Sequence, residues 1–217
     1  MVSGSINSTD ENSENLLLPT SGGVIVDLGT GDGRFVYQSA QQNPSRFYIG
    51  IDASTGALEK ISEKIHRKPA KGGLKNVLFV QAAVEDLPAD LNGIADEVHI
   101  HFPWGSLLKA VATGNETILS KIRSICSPDA LLEVIIGVDA DKDRSEFERL
   151  QLESLTEEFV ERTLIERYAS ARFKITEFGN FPATTWPKLC TSWAQRLEGG
   201  GTRSLLFLIA KCTSAQD

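Results

Sequence analysis

Val24-Ile25-Val26-Asp27-Leu28-Gly29-Thr30-Gly31-Asp32-Gly33 decides the fold of this chain. The apolar run Val24 to Val26 reads as a buried strand, and a helical pattern follows from Arg34 to Gln42. A second apolar run, Phe47 to Ile51, ends in an acid, Asp52. Strand, tight glycine turn, helix, strand and acid form the first half of a doubly wound nucleotide fold. Three glycines let the backbone pass close to a ligand. A dinucleotide fingerprint would read G-x-G-x-x-G and leave amide donors for a pyrophosphate. This loop reads G-x-G-x-G, with Asp27 just before it. An acid there suits a cationic amino group better than a phosphate, and Asp52 suits two adjacent ribose hydroxyls. S-adenosylmethionine carries a ribose, an adenine, a sulfonium and an amino-acid tail, and no phosphate. The loop therefore favours this cofactor over a nucleotide.

The remaining chain continues the alternation. Helical spacing is expected from Thr55 to His66, Ser106 to Ala112 and Glu116 to Ile125, and strands at Asn76 to Val80, Glu97 to Phe102 and Ala130 to Val138. An acidic, helix-prone stretch, Arg144 to Ala171, precedes two more strand candidates, Phe173 to Phe178 and Ser204 to Lys211. The expected fold is α/β: a Rossmann-like class I methyltransferase with a seven-stranded, mostly parallel sheet and a terminal antiparallel hairpin. Residues 1–22 read as a flexible polar tail and 23–217 as one domain, with an inserted linker around 139–171. Ligands of such sheets sit outside the carboxyl ends of the strands. That rule gathers Asp27, Asp52, Glu85 and Trp104 at one crevice, with Glu85 placed to read an adenine edge.

The 217 residues are 41% hydrophobic and 24% charged, an ordinary globular composition. Cys126, Cys190 and Cys212 are odd in number and lack a C-x-x-C pair, as expected of reduced thiols in a cytoplasmic protein. No apolar stretch suffices to span a bilayer, and the start of the chain lacks the basic opening of a signal peptide. Net charge is −7, yet Lys60, Lys64, Arg67, Lys68, Lys71 and Lys75 cluster with only Glu63 against them. By itself that run reads as a solvated helix and its following loop. Arg196 and Arg203 form a second basic group.

His101-Phe102-Pro103-Trp104-Gly105-Ser106-Leu107-Leu108 bears most on the substrate. Methyltransferases acting on amino groups of nucleic acids place a proline-aromatic element at this point, after the fourth strand. A base taken out of its helix needs an aromatic platform and an acceptor for its exocyclic amine. Trp104 can supply the platform, the Pro103 carbonyl the acceptor, and Trp193 the opposite side of a sandwich. The competing reading of each tryptophan is core packing, and Trp186 is assigned to packing or surface. His99 and His101 are two apart on a strand, as a metal pair would be. No further Cys, His or acid at ligand spacing in the sequence completes a site, so no metal is expected and His101 is read as a hydrogen-bonding strand end.

These strings resemble the 16S ribosomal RNA adenine-N1 methyltransferases of kanamycin and apramycin resistance, the KamB/NpmA type. The resemblance rests on Asp27 to Arg34, Asn43-Pro44-Ser45-Arg46, Lys68-Pro69-Ala70-Lys71-Gly72-Gly73-Leu74, Phe102 to Leu108 and Ser192-Trp193-Ala194-Gln195-Arg196-Leu197, and spans roughly residues 23 to 212. It implies an enzyme that uses S-adenosylmethionine to methylate adenine N1 at position 1408, in helix 44 of the 30S subunit. Asp27, Gly29, Asp52, Glu85 and Ser106 would hold the cofactor, with Gly31, Val84, Trp104, Thr191 and Ser192 completing the expected set. Trp104, Trp193 and Pro103 would carry catalysis by bracketing the flipped base. Lys64, Arg67, Lys68, Lys71, Arg196 and Arg203 would face the ribosome, which overrides the solvated-face reading. The expected protein is a monomer. Two alternatives share parts of the pattern: a transfer-RNA guanine-N7 methyltransferase, and a relative that binds the cofactor without catalysis.

Overall fold

The computed structural model describes residues 22–138, 143–181 and 204–214. Seven strands form one sheet: β1 (Val24–Leu28), β2 (Phe47–Asp52), β3 (Val77–Gln81), β4 (Ala95–His101), β5 (Cys126–Val138), β6 (Phe173–Phe181) and β7 (Ser204–Cys212). Their order is β3-β2-β1-β4-β5-β7-β6. The first five pair in parallel, and β7 enters antiparallel between β5 and β6. The expected sheet and its terminal hairpin are both present.

Strand β1 is buried along its whole length, which explains why it reads as a continuous apolar run rather than an alternation. Helices α1 (Arg34–Gln42) and α2 (Thr55–Ile65) follow β1 and β2. Val36, Tyr37 and Ala40 of α1 pack with Ile25, Tyr48, Ile65 and Val77 into a small cluster on one side of the sheet. The larger core lies on the other side, under α3 (Gly105–Thr113) and α4 (Glu116–Ile125). Leu119, Ile122 and Ile125 of α4 are fully buried, the i, i+3, i+6 stripe of an amphipathic helix. The Asn115 side chain caps α4 by accepting the Ile118 N–H at 3.0 Å.

Within the stretch expected as a linker lie α5 (Arg144–Leu150), α6 (Glu157–Phe159), a π-helical turn Val160–Leu164 and α7 (Ile165–Ser170). Phe159, Val160, Leu164 and Tyr168 belong to the large core, and the Tyr168 hydroxyl donates to the Val111 carbonyl at 2.9 Å. This part of the chain packs on the core as the helical layer between β5 and β6. Cys126 and Cys212 are free and buried, as expected; Cys190 lies outside the described residues. Among the described residues no helix is long and apolar enough to cross a membrane.

Strand order reverses between β1 and β4, whose outgoing loops therefore part in opposite directions and open a crevice at their carboxyl ends.

Candidate cofactor and substrate site

A cleft of about 480 Å³ occupies that crevice, within the range of small-molecule sites. Its lining includes Asp27, Gly29, Gly31, Asp52, Val84, Glu85, Pro103, Trp104 and Ser106. Every expected cofactor or catalytic position among the described residues thus reaches one cavity. Thr191, Ser192 and Trp193, and also Trp186, lie outside the described residues.

The glycine loop is built from the strand ends. Gly29 and Thr30 N–H groups both donate to the Ile51 carbonyl, at 2.8 and 3.0 Å, which pins the turn to β2. Asp52 continues the anchoring: its Oδ2 accepts the Gly31 N–H at 2.9 Å and its Oδ1 the Ser54 N–H at 2.8 Å. A carboxylate has about four acceptor positions, so Asp52 can still receive hydroxyl donors. The glycines differ in their reasons for being glycine. All of Gly29, Gly31 and Gly33 have positive φ. At Gly33 an added Cβ would lie 2.6 Å from the Phe79 ring and 2.9 Å from Ile61. At Gly31 it would meet nothing within 4 Å, so this residue borders open space in the cleft.

These contrasts predict unequal effects on stability. Gly33→Ala adds overpacking to a left-handed backbone and should cost about 2–4 kcal/mol. Gly31→Ala carries only the backbone penalty, about 1–2 kcal/mol. Thermal melts check this: Gly33→Ala should melt lower than Gly31→Ala, and equal melting points would refute the packing argument.

Asp27 is 3% exposed at the cleft floor. Burial pushes its carboxyl above the usual range, against the pull of the nearby His101. A cationic ligand group would relieve that cost, the charge character anticipated for an amino-acid tail. Val84 is buried and Glu85 exposed in the short turn Val84–Asp86 that follows β3. Together, buried Asp27, open Gly31, acceptor Asp52 and exposed Glu85 fit the amino, sulfonium and nucleoside parts of S-adenosylmethionine.

Beyond β4 the chain turns sharply. Phe102 has φ 51° and its N–H donates to the Ile135 carbonyl at 2.7 Å. A non-glycine residue held there is strained by about 1–3 kcal/mol, a feature often found beside functional sites. The turn buries Pro103 and leaves Trp104 56% exposed at the N-terminal end of α3. Core packing is thereby excluded for Trp104.

The basic run forms a shaped loop. A 3-10 turn Pro69–Lys71 brings the Lys71 and Gly73 N–H groups onto the Lys68 carbonyl, at 2.7 and 3.2 Å. Gly73 abuts the Arg67 carbonyl so closely that a Cβ would clash with it, and Gly72 adopts φ 89° while its carbonyl accepts the Tyr37 hydroxyl at 2.8 Å. Arg67, Lys68 and Lys71 are exposed on this frame. Lys64 is half-buried, its Nζ 3.8 Å from the centroid of the Tyr37 ring. This contact ties the α2 side chain to α1. Arg196 and Arg203 lie outside the described residues.

His101 hydrogen-bonds at its strand end as expected, and the sheet adds a neighbour that sequence spacing does not show. The sequence offers His99 and His101 no third ligand at a recognisable spacing, yet β4 and β5 pair so that Glu133 lies beside His99. Nε2 of His101 is 2.6 Å from Glu133 Oε1, and Nδ1 of His99 is 4.0 Å from the same oxygen. On the far side, His99 Nε2 lies 3.2 Å from Glu97 Oε2, and Arg46 pairs with the other oxygen of Glu97. The hydrogen bond from His99, together with Arg46, holds the Glu97 carboxyl down at about 2. Burial opposes charge on His99, but Glu97, Glu133 and Asp27 raise its pKa nonetheless.

A family model described as "NpmA: 16S rRNA (adenine(1408)-N(1))-methyltransferase" matches residues 4–212. The 16S rRNA (adenine(1408)-N(1))-methyltransferase of Escherichia coli is 38% identical over 185 residues, covering 83% of both chains. Among solved structures, the aminoglycoside resistance methyltransferase NpmB1 is 42% identical with a TM-score of 0.76, covering 88% of this chain and 87% of that one. A tryptophan-to-alanine mutant of the 16S rRNA (adenine(1408)-N(1))-methyltransferase from Catenulisporales acidiphilia, crystallised with the cosubstrate SAM, is 35% identical with a TM-score of 0.81. It covers 89% of this chain and 87% of its own.

Proposed function

The chain belongs to the NpmA family of 16S rRNA (adenine(1408)-N(1))-methyltransferases, enzymes dependent on S-adenosylmethionine, and we propose that it methylates N1 of A1408 in helix 44 of the assembled 30S subunit. The observation that carries this reading is the exposed Trp104, held over the rim of the cleft by a strained turn. A large aromatic surface left to solvent beside a cofactor site is suited to stacking on an extruded base.

When bound, S-adenosylmethionine supplies an electrophilic methyl group. The chain's own residues supply position and charge. Asp27 sits on the floor to meet the cationic tail, and Asp52 and Glu85 take the nucleoside. Adenine N1 holds a lone pair at neutral pH, so no general base is required. Placement of nucleophile and methyl near contact distance is the main demand. The methylated ring is cationic, and an aromatic face favours developing positive charge by about 0.5–2 kcal/mol. In this reading Trp104 and Trp193 bracket the flipped adenine, and the Pro103 carbonyl accepts from its exocyclic amine. The protein acts as a monomer in the cytoplasm, and its product protects ribosomes from kanamycin and apramycin.

Arg67, Lys68 and Lys71 form the ribosome-facing surface together with Lys64, Arg196 and Arg203. Replacing Lys68 and Lys71 by Glu should weaken 30S binding at least tenfold and flatten its salt dependence. Cofactor affinity should stay unchanged, since both side chains lie outside the cleft. Filter binding at two salt concentrations, with calorimetry for the cofactor, checks this; equal 30S affinity at low salt would return the run to a plain solvated face.

The reading as a whole is tested by incubating 30S subunits with protein and methyl-labelled cofactor, then digesting the RNA to nucleosides. Label in N1-methyladenosine is expected. Label in N7-methylguanosine, or bound cofactor with no label transferred, would replace this reading by one of the two alternatives.

A further inference from the structure

Behind the floor of the cleft, the pleat carries a second constellation. Asp27 of β1, His99 of β4 and Glu133 of β5 occupy one row across three neighbouring strands, and His101 lies two residues on from His99 along the same face. One donor atom from each of His99, His101 and Glu133 falls within 4.8 Å of the others. Two imidazoles and a carboxylate are the donors that zinc and its first-row neighbours prefer, and hard cations such as Mg²⁺ do not.

Three observations make this more than proximity. Nδ1 of His99, the ring nitrogen turned toward Glu133, is buried and has no hydrogen-bond partner among the described residues, and His101 is 8% exposed. Glu97, itself paired with Arg46, lies 3.2 Å from His99 Nε2, so the opposite nitrogen of that ring is the one facing Glu133. A carboxylate behind a ligating histidine is the usual outer partner in metal sites. Phe35 of α1 packs against both rings, with centroids 5.6 and 4.9 Å away, and restricts their rotation. Glu133 keeps 35% of its side chain exposed and leaves a path for entry.

We propose that His99 Nδ1, His101 Nε2 and Glu133 Oε1 form a site for one divalent cation of the zinc class, with solvent completing its coordination. Metal–ligand bonds of about 2.0–2.1 Å in a tetrahedron place donors about 3.3 Å apart. The 2.6 and 4.0 Å separations found here bracket that figure, so small side-chain rotations suffice. A cation there neutralises part of the acidic row that includes Asp27 and sits directly behind the cofactor cleft, which His101 also lines.

The test uses the full chain, treated with chelator, desalted and titrated with Zn²⁺ in a calorimeter. Saturable binding of one equivalent is expected, with a melting point that rises with zinc concentration as linkage requires. Glu133→Gln and His101→Leu should each weaken zinc at least a hundredfold, and Glu97→Gln about 10–100-fold. A Co²⁺ titration of the parent should develop visible absorption that Glu133→Gln lacks. Melts in chelator establish that each variant is folded, and Mg²⁺ should not compete. No saturable binding by the parent, or the same zinc affinity in a folded Glu133→Gln protein, would overturn the proposal. In that event the histidines and glutamates form only a charged hydrogen-bonded row.

Discussion

Trp104→Ala should lose methylation of 30S subunits by about ten- to several-hundredfold while its melting point stays close to the parent's. The first half follows from stacking, worth about 1–3 kcal/mol per base, together with the loss of in-line placement that stacking provides. The second half follows from exposure: with more than half its surface in solvent, the indole contributes little to the core. Trp104→Phe should retain part of the activity because a smaller ring still stacks. Methylation rates and thermal melts on the same preparations decide between this account and a structural role. A Trp104→Ala protein that melts several degrees lower with full activity would assign the residue to packing after all. The same experiment on Trp193, the proposed opposite face, asks whether one or two indoles hold the base.

Asp52→Ala should bind S-adenosylmethionine at least tenfold more weakly. Charge-assisted hydrogen bonds to a ribose are worth roughly 1.5–3 kcal/mol, and the same carboxylate fixes the Gly31 and Ser54 N–H groups that shape the loop. Calorimetry on the folded variant measures the loss. Undiminished affinity would remove this crevice as the cofactor site.

Much of the fold is legible because its elements are locally coded. Helices Arg34–Gln42 and Glu116–Ile125 begin and end where their apolar stripes and flanking residues say they should. The start of β5 is hidden. Cys126 pairs with Ala95 and Leu131 with Glu97, so the strand carries an irregular stretch that includes Pro128 and Asp129, whose φ is 63°. Neither residue suggests a strand by propensity, and only the pairing of neighbours holds them in one. The helical stretch after β5 shows an acidic surface in sequence, and its burial of Phe159, Leu164 and Tyr168 emerges only when it meets the core.

The cleft follows the same division. Asp27, Asp52, Glu85 and Trp104 sit at strand ends, where a topological rule predicts ligand contacts, and the fold brings them together. Glu133 stands 32 residues from His101, and no spacing rule relates them; the register of β4 against β5 does. Thr30, Phe35, Phe102 and Leu107 also line the cleft. Their apolar or small side chains carry no chemical signature that a sequence could advertise. Gly73 is the opposite case, a motif residue whose requirement becomes physical once its contact with the Arg67 carbonyl is seen.

The central claim is tested most directly by primer extension on 16S rRNA from purified 30S subunits after incubation with the protein and S-adenosylmethionine. A methyl group on N1 blocks Watson–Crick pairing, so reverse transcriptase should halt at A1408 only when both protein and cofactor are present, and at a limiting incubation time the halt should weaken sharply with Trp104→Ala. Full read-through at A1408, in subunits where the cofactor is shown to bind the protein, would contradict the account.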